Sequence, residues 1–538
     1  MSDRDPRNGF ANRRRVLAGL GAATLAPAAS AQGASRPGAR SGVVAAGAEP
    51  AAQVGAEILR AGGNAVDAAV GAALAMAVAD PANTSLAGRS HIVMLSPDGR
   101  VSVIDGRSAT PRAWTPRKAE SIAQSVPVPG NPRAFEKAIA EHGRLSLQQV
   151  VQPAVRLARE GFVVRSNLAR VWAQRAAALA QSPSARELFL KHDGSPWRFG
   201  ETFRQPKLAD TLAAYGERGS AAVMSGPGIE AHVARLAADG SQLTMADFDA
   251  YRAFDAEAVT VPYRGWKVWT IGRQGYGYLQ AETLQLFEAL DLPRLPAPDR
   301  WAAMLLAQRV AYKDMPTGLG PEAQSLLRKD HLAKQLEIVR ALAGARGELS
   351  PWFPKGKATP GESGDTTHIS AVDAEGVVAS ITTSIGPHFG SAVAAPGGYL
   401  MAHSYQMSSG VRRADRDITA MSPTILESPA GDRFAVGAAG SDKIPGAVLR
   451  AIVNVVDRGM APQGAAADPA CVITDDEIQI STELDRSVGE RLAAIGLPLN
   501  PVSRVRGEHF GLLHIAARNK GRFAGGADTY WDGGVAYA

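Results

Sequence analysis

Apolar residues first organise the chain just after its leader. "SGVVAAG" at Ser41–Gly47 reads as a buried strand, and helical spacing follows from about Ala51 to Arg60. That helix stops at Gly62-Gly63, a pair suited to a C-terminus. Asn64 can cap a second helix, with Asp67 three residues on in the capping-box position, and Pro81 ends it. Ala, Val and Leu surround this helix on all sides, which predicts burial between layers. "HIVMLSPDGRVSVIDGR" alternates about Pro-Asp-Gly and predicts a β-hairpin.

Helical periodicity then fills roughly 130–250 and 275–345, broken by strand-like "AVTVPYRGWKVWTI". Residues 346–365 are rich in Pro, Gly and Lys without periodicity and read as an exposed linker. Beyond them, "TTHISAVDAEGVVASITTS" is strand, turn, strand. "GDRFAVGAAGSDKIPGAVLRAIVNVVDRGM" is strand, small-residue loop, helix, and strands close the chain. Strand-rich ends around a helical middle imply a layered α+β fold.

Composition changes this picture in three places. The chain has 538 residues and a net charge of +6, but five arginines against two aspartates in residues 1–31 supply half of that charge. The rest is spread without a basic block, so nucleic acid is not an expected partner. Those first 31 residues, with Arg13-Arg14-Arg15, an apolar run and Ala29-Ser30-Ala31, read as a signal peptide of the twin-arginine type. Its apolar run is too short to span a bilayer, which implies a periplasmic or secreted protein with no membrane anchor. Cys471 is the only cysteine, so no intrachain disulfide can form, and pieces of a cut chain must stay together by packing alone. The ten histidines include no H-E-x-x-H or comparable cluster, so no metal is expected.

Candidate chemistry concentrates in the late hairpin. A three-residue turn at Ala374-Glu375-Gly376 sets Asp373 opposite Val377, so paired numbers sum to 750 and Thr366 faces Ser384. Alternation puts Thr366, His368, Ser370, Ser380, Thr382 and Ser384 on one face, a hydroxyl surface, and Ile369, Ala371, Ala379 and Ile381 on the core face. Hydroxyl residues suit any solvated strand face, but an active hydroxyl needs a nearby base. His368 stands about 7 Å along the strand from Thr366. A backbone amine freed at Thr366 by a break before it would be much closer to its own hydroxyl. Gly437, Gly440 and Ser441 lie between a strand and a helix, where free N–H groups can stabilise an oxyanion.

From about Gly42 onward the sequence resembles the γ-glutamyltranspeptidase family of N-terminal-nucleophile hydrolases. The resemblance rests on "EILRAGGNAVDAAVGAALAMAVADP", "VIDGRSATP", "YRGWKVWTI", "DTTHISAVDAEGVVASITTS" and "MSPTI", in that order. It implies a four-layer αββα sandwich made as a precursor, cut between Asp365 and Thr366 into a large subunit (32–365) and a small catalytic one (366–538) that remain a heterodimer. Thr366 would attack a small-molecule amide with its hydroxyl, its new amine acting as base, and pass the acyl group to water or an amine, with no cofactor. Ser384 falls on the hydroxyl residue that supports that amine, and Gly440 and Ser441 fall on the family's Gly-Gly oxyanion pair. Arg107 matches the arginine that pairs with the glutamyl α-carboxylate. Departures cluster in the rest of the pocket. Gly386 replaces an Asn or similar polar contact, and Ser408 or Ser409 stands where an acidic residue holds the donor's α-amino group. Thr419-Ala420 replaces a Ser-Ser pair, and "LAGRSHI" replaces a glycine-rich run. Three readings follow: a γ-glutamyl amidohydrolase, an acylase for a carboxylate-bearing acyl amide without the α-amine, or an uncut homologue that only binds.

Overall fold

A computed structural model of the chain describes residues 41–344, 349, 352, 366–410, 415–474, 477–503, 509–528 and 530–538. The leader 1–31, most of 346–365, and Asp365 lie outside the described residues. Everything described belongs to one compact unit, Arg40–Ala538.

Two antiparallel sheets face each other. The first has seven strands in the order Gly534–Tyr537, Gly42–Ala46, Thr366–Asp373, Val378–Ser384, Arg89–Leu95, Val101–Gly106 and Phe254–Asp255. The second has six: Arg522–Ala527, Leu512–Asn519, Arg433–Ala439, Thr424–Glu427, Trp266–Ile271 and Ala258–Tyr263. Helices Glu49–Arg60 and Ala65–Ala79 cover the outer face of the first sheet through a core that includes Val44, Ile369, Ala379 and Ile381, and helix Leu147–Glu160 packs on Ala65–Ala79. Helices Gly277–Ala289, Ala297–Tyr312 and Lys443–Val456 cover the second through Val259, Leu426, Phe434 and Val436. The layers run αββα, and the expected sandwich is the observed one.

Local chemistry explains the parts that position the site. Asn64 Oδ1 accepts from the N–H groups of Val66 and Asp67, and Asp67 Oδ2 accepts from Asn64 N at 2.8 Å, so the capping box is closed. Every residue of the Ala65–Ala79 helix is buried, as its all-round apolar surface requires. The first helix begins at Glu49, two residues earlier than the apolar pattern indicated, because Pro50 is well suited to a first turn. "AVTVPYRGWKVWTI" forms a hairpin about Arg264-Gly265 rather than one strand.

The strand order interleaves the chain on either side of residue 366. Gly42–Ala46 pairs with Thr366–Asp373 on one side and Gly534–Tyr537 on the other, and Val378–Ser384 pairs with Arg89–Leu95. A cut ahead of Thr366 would therefore leave both pieces woven into one sheet.

Candidate active site

The late hairpin has the register that its turn dictates. Gly376 adopts φ +88°, Val378 pairs with Val372, and Thr366 pairs with Ser384. The ladder continues sideways, because Ser384 also pairs with Arg89. Ser90 pairs with Gly106, and extending that register by one residue puts Arg107 beside Arg89. One row across the end of the first sheet thus reads Thr366, Ser384, Arg89, Arg107. The row beneath it reads His368, Thr382, His91, Asp105. Cross-strand partners share a face, so both rows point at the second sheet.

The hydroxyl face is not a solvated one, which corrects the first reading of it. All residues of both hairpin strands are buried, and the polar face lies between the two sheets. Its hydroxyls are spent on that interface. Ser370 Oγ donates to the His514 carbonyl at 3.0 Å, and Ser380 Oγ donates to the Val436 carbonyl at 3.1 Å. His368 is committed as well, with Nδ1 2.8 Å from Thr382 Oγ1 and Nε2 2.9 Å from Ser370 Oγ. Burial, reinforced by His514 nearby, holds its pKa well below the usual imidazole value. His368 is a neutral structural group and no base for Thr366. Thr366 differs from its neighbours: its side chain hydrogen-bonds to none of the described residues, and it is 6% exposed. Ser384 Oγ accepts from Gly386 N at 3.1 Å.

The strand-to-helix turn comes to the same end of the sandwich. A Cβ on Gly437 would lie 2.2 Å from His368 Cε1, so this strand crosses directly over the second row. Val436 lies over Ser380, one row deeper, so the strand climbs toward Thr366 as it approaches Gly440. Gly440 turns with φ +119° and Ser441 with φ +54° before helix Lys443–Val456 begins. Among the described residues neither of their N–H groups finds an acceptor, while both carbonyls accept helix N–H groups. Two free donors at a helix start are groups of the kind that can stabilise a developing oxyanion.

Beyond the row lies a cluster of buried charged side chains. Arg107 Nε and Nη2 grip the Asp105 carboxylate at 2.8–3.1 Å, and Nη1 donates to the Asp417 carbonyl at 3.2 Å. Burial would raise the Asp105 pKa, but the Arg107 guanidinium outweighs it and holds the group at about 2. Arg89 Nη1 donates to Asp417 Oδ2 at 2.8 Å and to the His403 carbonyl at 3.0 Å. Ser108 and Ser404 also donate to the Asp417 carboxylate, at 2.9 and 2.6 Å. Thr419 Oγ1 is buried and bonds to none of the described residues. Ser408 and Ser409 sit on the short helix Tyr405–Ser409, their hydroxyls turned onto the carbonyls of Tyr405 and Gln406 at 3.0 and 3.2 Å. Structure thus gathers Thr366, Ser384, Gly440, Ser441 and Arg107 at one end of the sandwich and leaves Ser408 and Ser409 bonded to their own helix.

Comparison with known proteins decides the lineage. The family description Gamma-glutamyltranspeptidase matches residues 51–538. The chain is 30% identical to a Pseudomonas sp. (strain V22) protein named Acylase ACY 1 proenzyme, over 90% of this chain and 91% of that one. It is also 30% identical to the Glutathione hydrolase proenzyme of Escherichia coli (strain K12), over 78% and 79% of the two chains. The chain belongs to the γ-glutamyltranspeptidase family. Its fold is shared with the cephalosporin acylase from Bacillus halodurans, at a TM-score of 0.79 and 23% identity, covering 95% of this chain and 99% of that one. Family membership makes it an N-terminal-nucleophile hydrolase and an enzyme.

Two features of this γ-glutamyltranspeptidase relative were passed over in the sequence. Arg89 was legible only as the loss of a glycine-rich run, yet Arg89, His91 and Val93 alternate with Ser90, Ile92 and Met94. Carrying the Thr366–Ser384 register one strand further would have put Arg89 in the same row. Asp417 had no such signal, because two of its partners, Arg89 and Ser108, are more than 300 residues away in the chain. Elsewhere, ligand atoms of Glu282, Asp314 and His331 converge within 4.8 Å, a grouping no sequence motif announces. His331 Nε2 lies 2.8 Å from Glu282 Oε1 and 3.3 Å from Asp314 Oδ2, while Glu282 Oε2 is buried without a hydrogen-bond partner among the described residues.

Proposed function

We propose that the chain is an exported, self-processing amidohydrolase that is cut between Asp365 and Thr366 and then uses Thr366 as an N-terminal nucleophile. Breaking that bond takes up one water, gives Asp365 a carboxylate and frees the Thr366 amine. The hydroxyl proton then passes to this amine as Oγ1 attacks the substrate's amide carbonyl. The N–H groups of Gly440 and Ser441 take the developing oxyanion, and Ser384 Oγ orients the amine. The tetrahedral adduct expels its amine, which leaves with the proton. Water, or an acceptor amine, then attacks the resulting ester and releases the acyl group. Arg107, with one N–H left on each terminal nitrogen, holds the acyl carboxylate, and Thr419 Oγ1 is a second contact for it.

One observation carries this reading: Thr366, with an unengaged hydroxyl, stands in register with Ser384 at the end of the sandwich where Gly440 and Ser441 offer free N–H groups. Denaturing electrophoresis with N-terminal sequencing tests it. Purified protein is expected as two fragments, the smaller beginning at Thr366, that hydrolyse a small acyl anilide. Thr366→Ala is expected to remain one inactive chain. Wild-type protein that stays uncut and inactive would refute the reading in favour of a binding-only homologue.

Within this activity, the acylase-type substrate has a specific observation in its favour. No carboxylate on the Tyr405–Ser409 helix is available for a donor α-amine, because Ser408 and Ser409 occupy that place. The relatives named above include both an acylase and a glutathione hydrolase at equal identity, so identity alone does not choose.

A further inference from the structure

Arg89 occupies the third place in the catalytic row and is only half used. Its Nη1 is saturated by Asp417 and the His403 carbonyl. Its Nε is buried with no hydrogen-bond partner, and its Nη2 bonds to no described residue. Nε and Nη2 together form the side of a guanidinium that grips a carboxylate with two parallel hydrogen bonds. The side chain is 4% exposed, so leaving that edge unpaired is costly. Beside it is Gly386, where a Cβ would come into van der Waals contact with Nη2 at 3.5 Å.

The charge balance agrees. Arg89, Arg107 and Arg416 gather around Asp105 and Asp417, three cations to two anions. Both carboxylates are already taken: Asp105 by Arg107, and Asp417 by Arg89, Ser108 and Ser404. Among the described residues of this cluster one positive charge is thus left unmatched. Arg89 lies two strand spacings from Thr366, about 10 Å. An acyl chain of four carbon–carbon bonds at about 1.5 Å each, with a hydrogen bond beyond it, fits that span.

We propose that Arg89 determines acyl specificity: its Nε–Nη2 edge, together with Arg107, clamps the distal carboxylate of a short acyl group, and its charge rejects an ammonium beside that carboxylate. This rests on the amidohydrolase reading of Thr366 and names the acyl class, a dicarboxylic-acid monoamide without an α-amino group. Glutaryl and γ-glutamyl p-nitroanilides differ only in that amine and make the test. Wild-type enzyme is expected to favour the glutaryl compound in kcat/KM. In Arg89→Gln the glutaryl to γ-glutamyl ratio is expected to fall at least about 30-fold, as loss of a buried charge pair would give. Arg89→Lys keeps the charge beside Asp417 but not the fork, and is expected to fall between; should the Gln variant fail to fold, it decides. A purely structural role would lower both rates together and leave the ratio unchanged, which overturns the proposal, as does a wild-type preference for γ-glutamyl. Calorimetry with glutarate separates the two readings. Binding that weakens at least about 10-fold in the variants, in an enzyme that turns over neither anilide, sinks the amidohydrolase reading and keeps the clamp. Glutarate that fails to bind wild type, or binds the variants equally well, sinks the clamp.

Discussion

At the scale of single residues, the strand-to-helix turn at Gly440-Ser441 holds two left-handed conformations of opposite meaning. Gly440, at φ +119°, has a conformation closed to other residues, and a Cβ there would lie 2.6 Å from His509 Cε1. Ser441, at φ +54°, carries its side chain in a region that costs a non-glycine residue about 1 kcal/mol. The two positions therefore answer oppositely to substitution. Gly440→Ala must shift the turn away from His509 and misdirect both donors, with an expected loss of roughly 100-fold or more in kcat. Ser441→Gly relieves strain while keeping its N–H, so it is expected to raise stability by up to about 1 kcal/mol with kcat unchanged within a factor of about three. Steady-state kinetics and thermal unfolding of the two proteins check this. A Ser441→Gly enzyme as damaged as Gly440→Ala would mean that the serine hydroxyl, and not the backbone, does the work there.

At the scale of elements, the hairpin is tied to the first helical layer by one buried carboxylate. Asp373 Oδ1 accepts from Val377 N at 2.8 Å across the turn, and Oδ2 accepts from Ala65 N at 2.9 Å at the start of helix Ala65–Ala79. That single group closes the turn, fills an orphan donor of the helix and sits favourably at its positive end. Asp373→Ala orphans both N–H groups and is expected to cost about 2–4 kcal/mol, read as a lower denaturant midpoint. A loss below about 0.5 kcal/mol would show that other groups satisfy those donors. This hairpin was also the most legible part of the sequence, because a short turn fixes register and register fixes partners. Thr366 opposite Ser384 followed from counting outward from Gly376. What surrounds it did not follow, because Arg89 and Asp417 meet across more than 300 residues and only the folded sheet order sets them together. The same limit explains the misread hydroxyl face: alternation shows that two faces differ, but which is wet depends on a second sheet that no local pattern announces. That sheet is supplied by Arg433–Ala439 and Leu512–Asn519, strands that begin more than 45 residues beyond the hairpin.

At the scale of the whole molecule, stacking two sheets with polar facing rows buries histidines that must remain uncharged. Burial lowers the pKa of His91 and His514 to about 3 and of His232 and His403 to about 4, and holds that of His368 well below the usual imidazole value. For each, the folded value lies below the unfolded 6.5, so the unfolded chain binds more protons at mildly acid pH. Their contribution to stability is complete above about pH 6.5 and is lost as pH falls toward 4. Three carboxylates act in the opposite sense. Burial raises Asp80 to about 7, Asp532 to about 6 and Glu282 to about 9, so their contribution is present below about pH 4 and lost as pH rises through those values. Five groups against three leave a net uptake of about two protons on unfolding between pH 6 and 5, a slope of at most about 3 kcal/mol per pH unit. The expected result is a Tm that falls by about 3 °C from pH 7 to pH 5. Since His91, His368 and His514 lie under the catalytic row between the sheets, the same acid step is expected to separate the two fragments of cut protein. No disulfide joins them, because Cys471 is the sole thiol and is buried. Calorimetry and gel filtration across this range check both outcomes. A Tm that is level or higher at pH 5 would mean that the interior between the sheets accepts protonated imidazole.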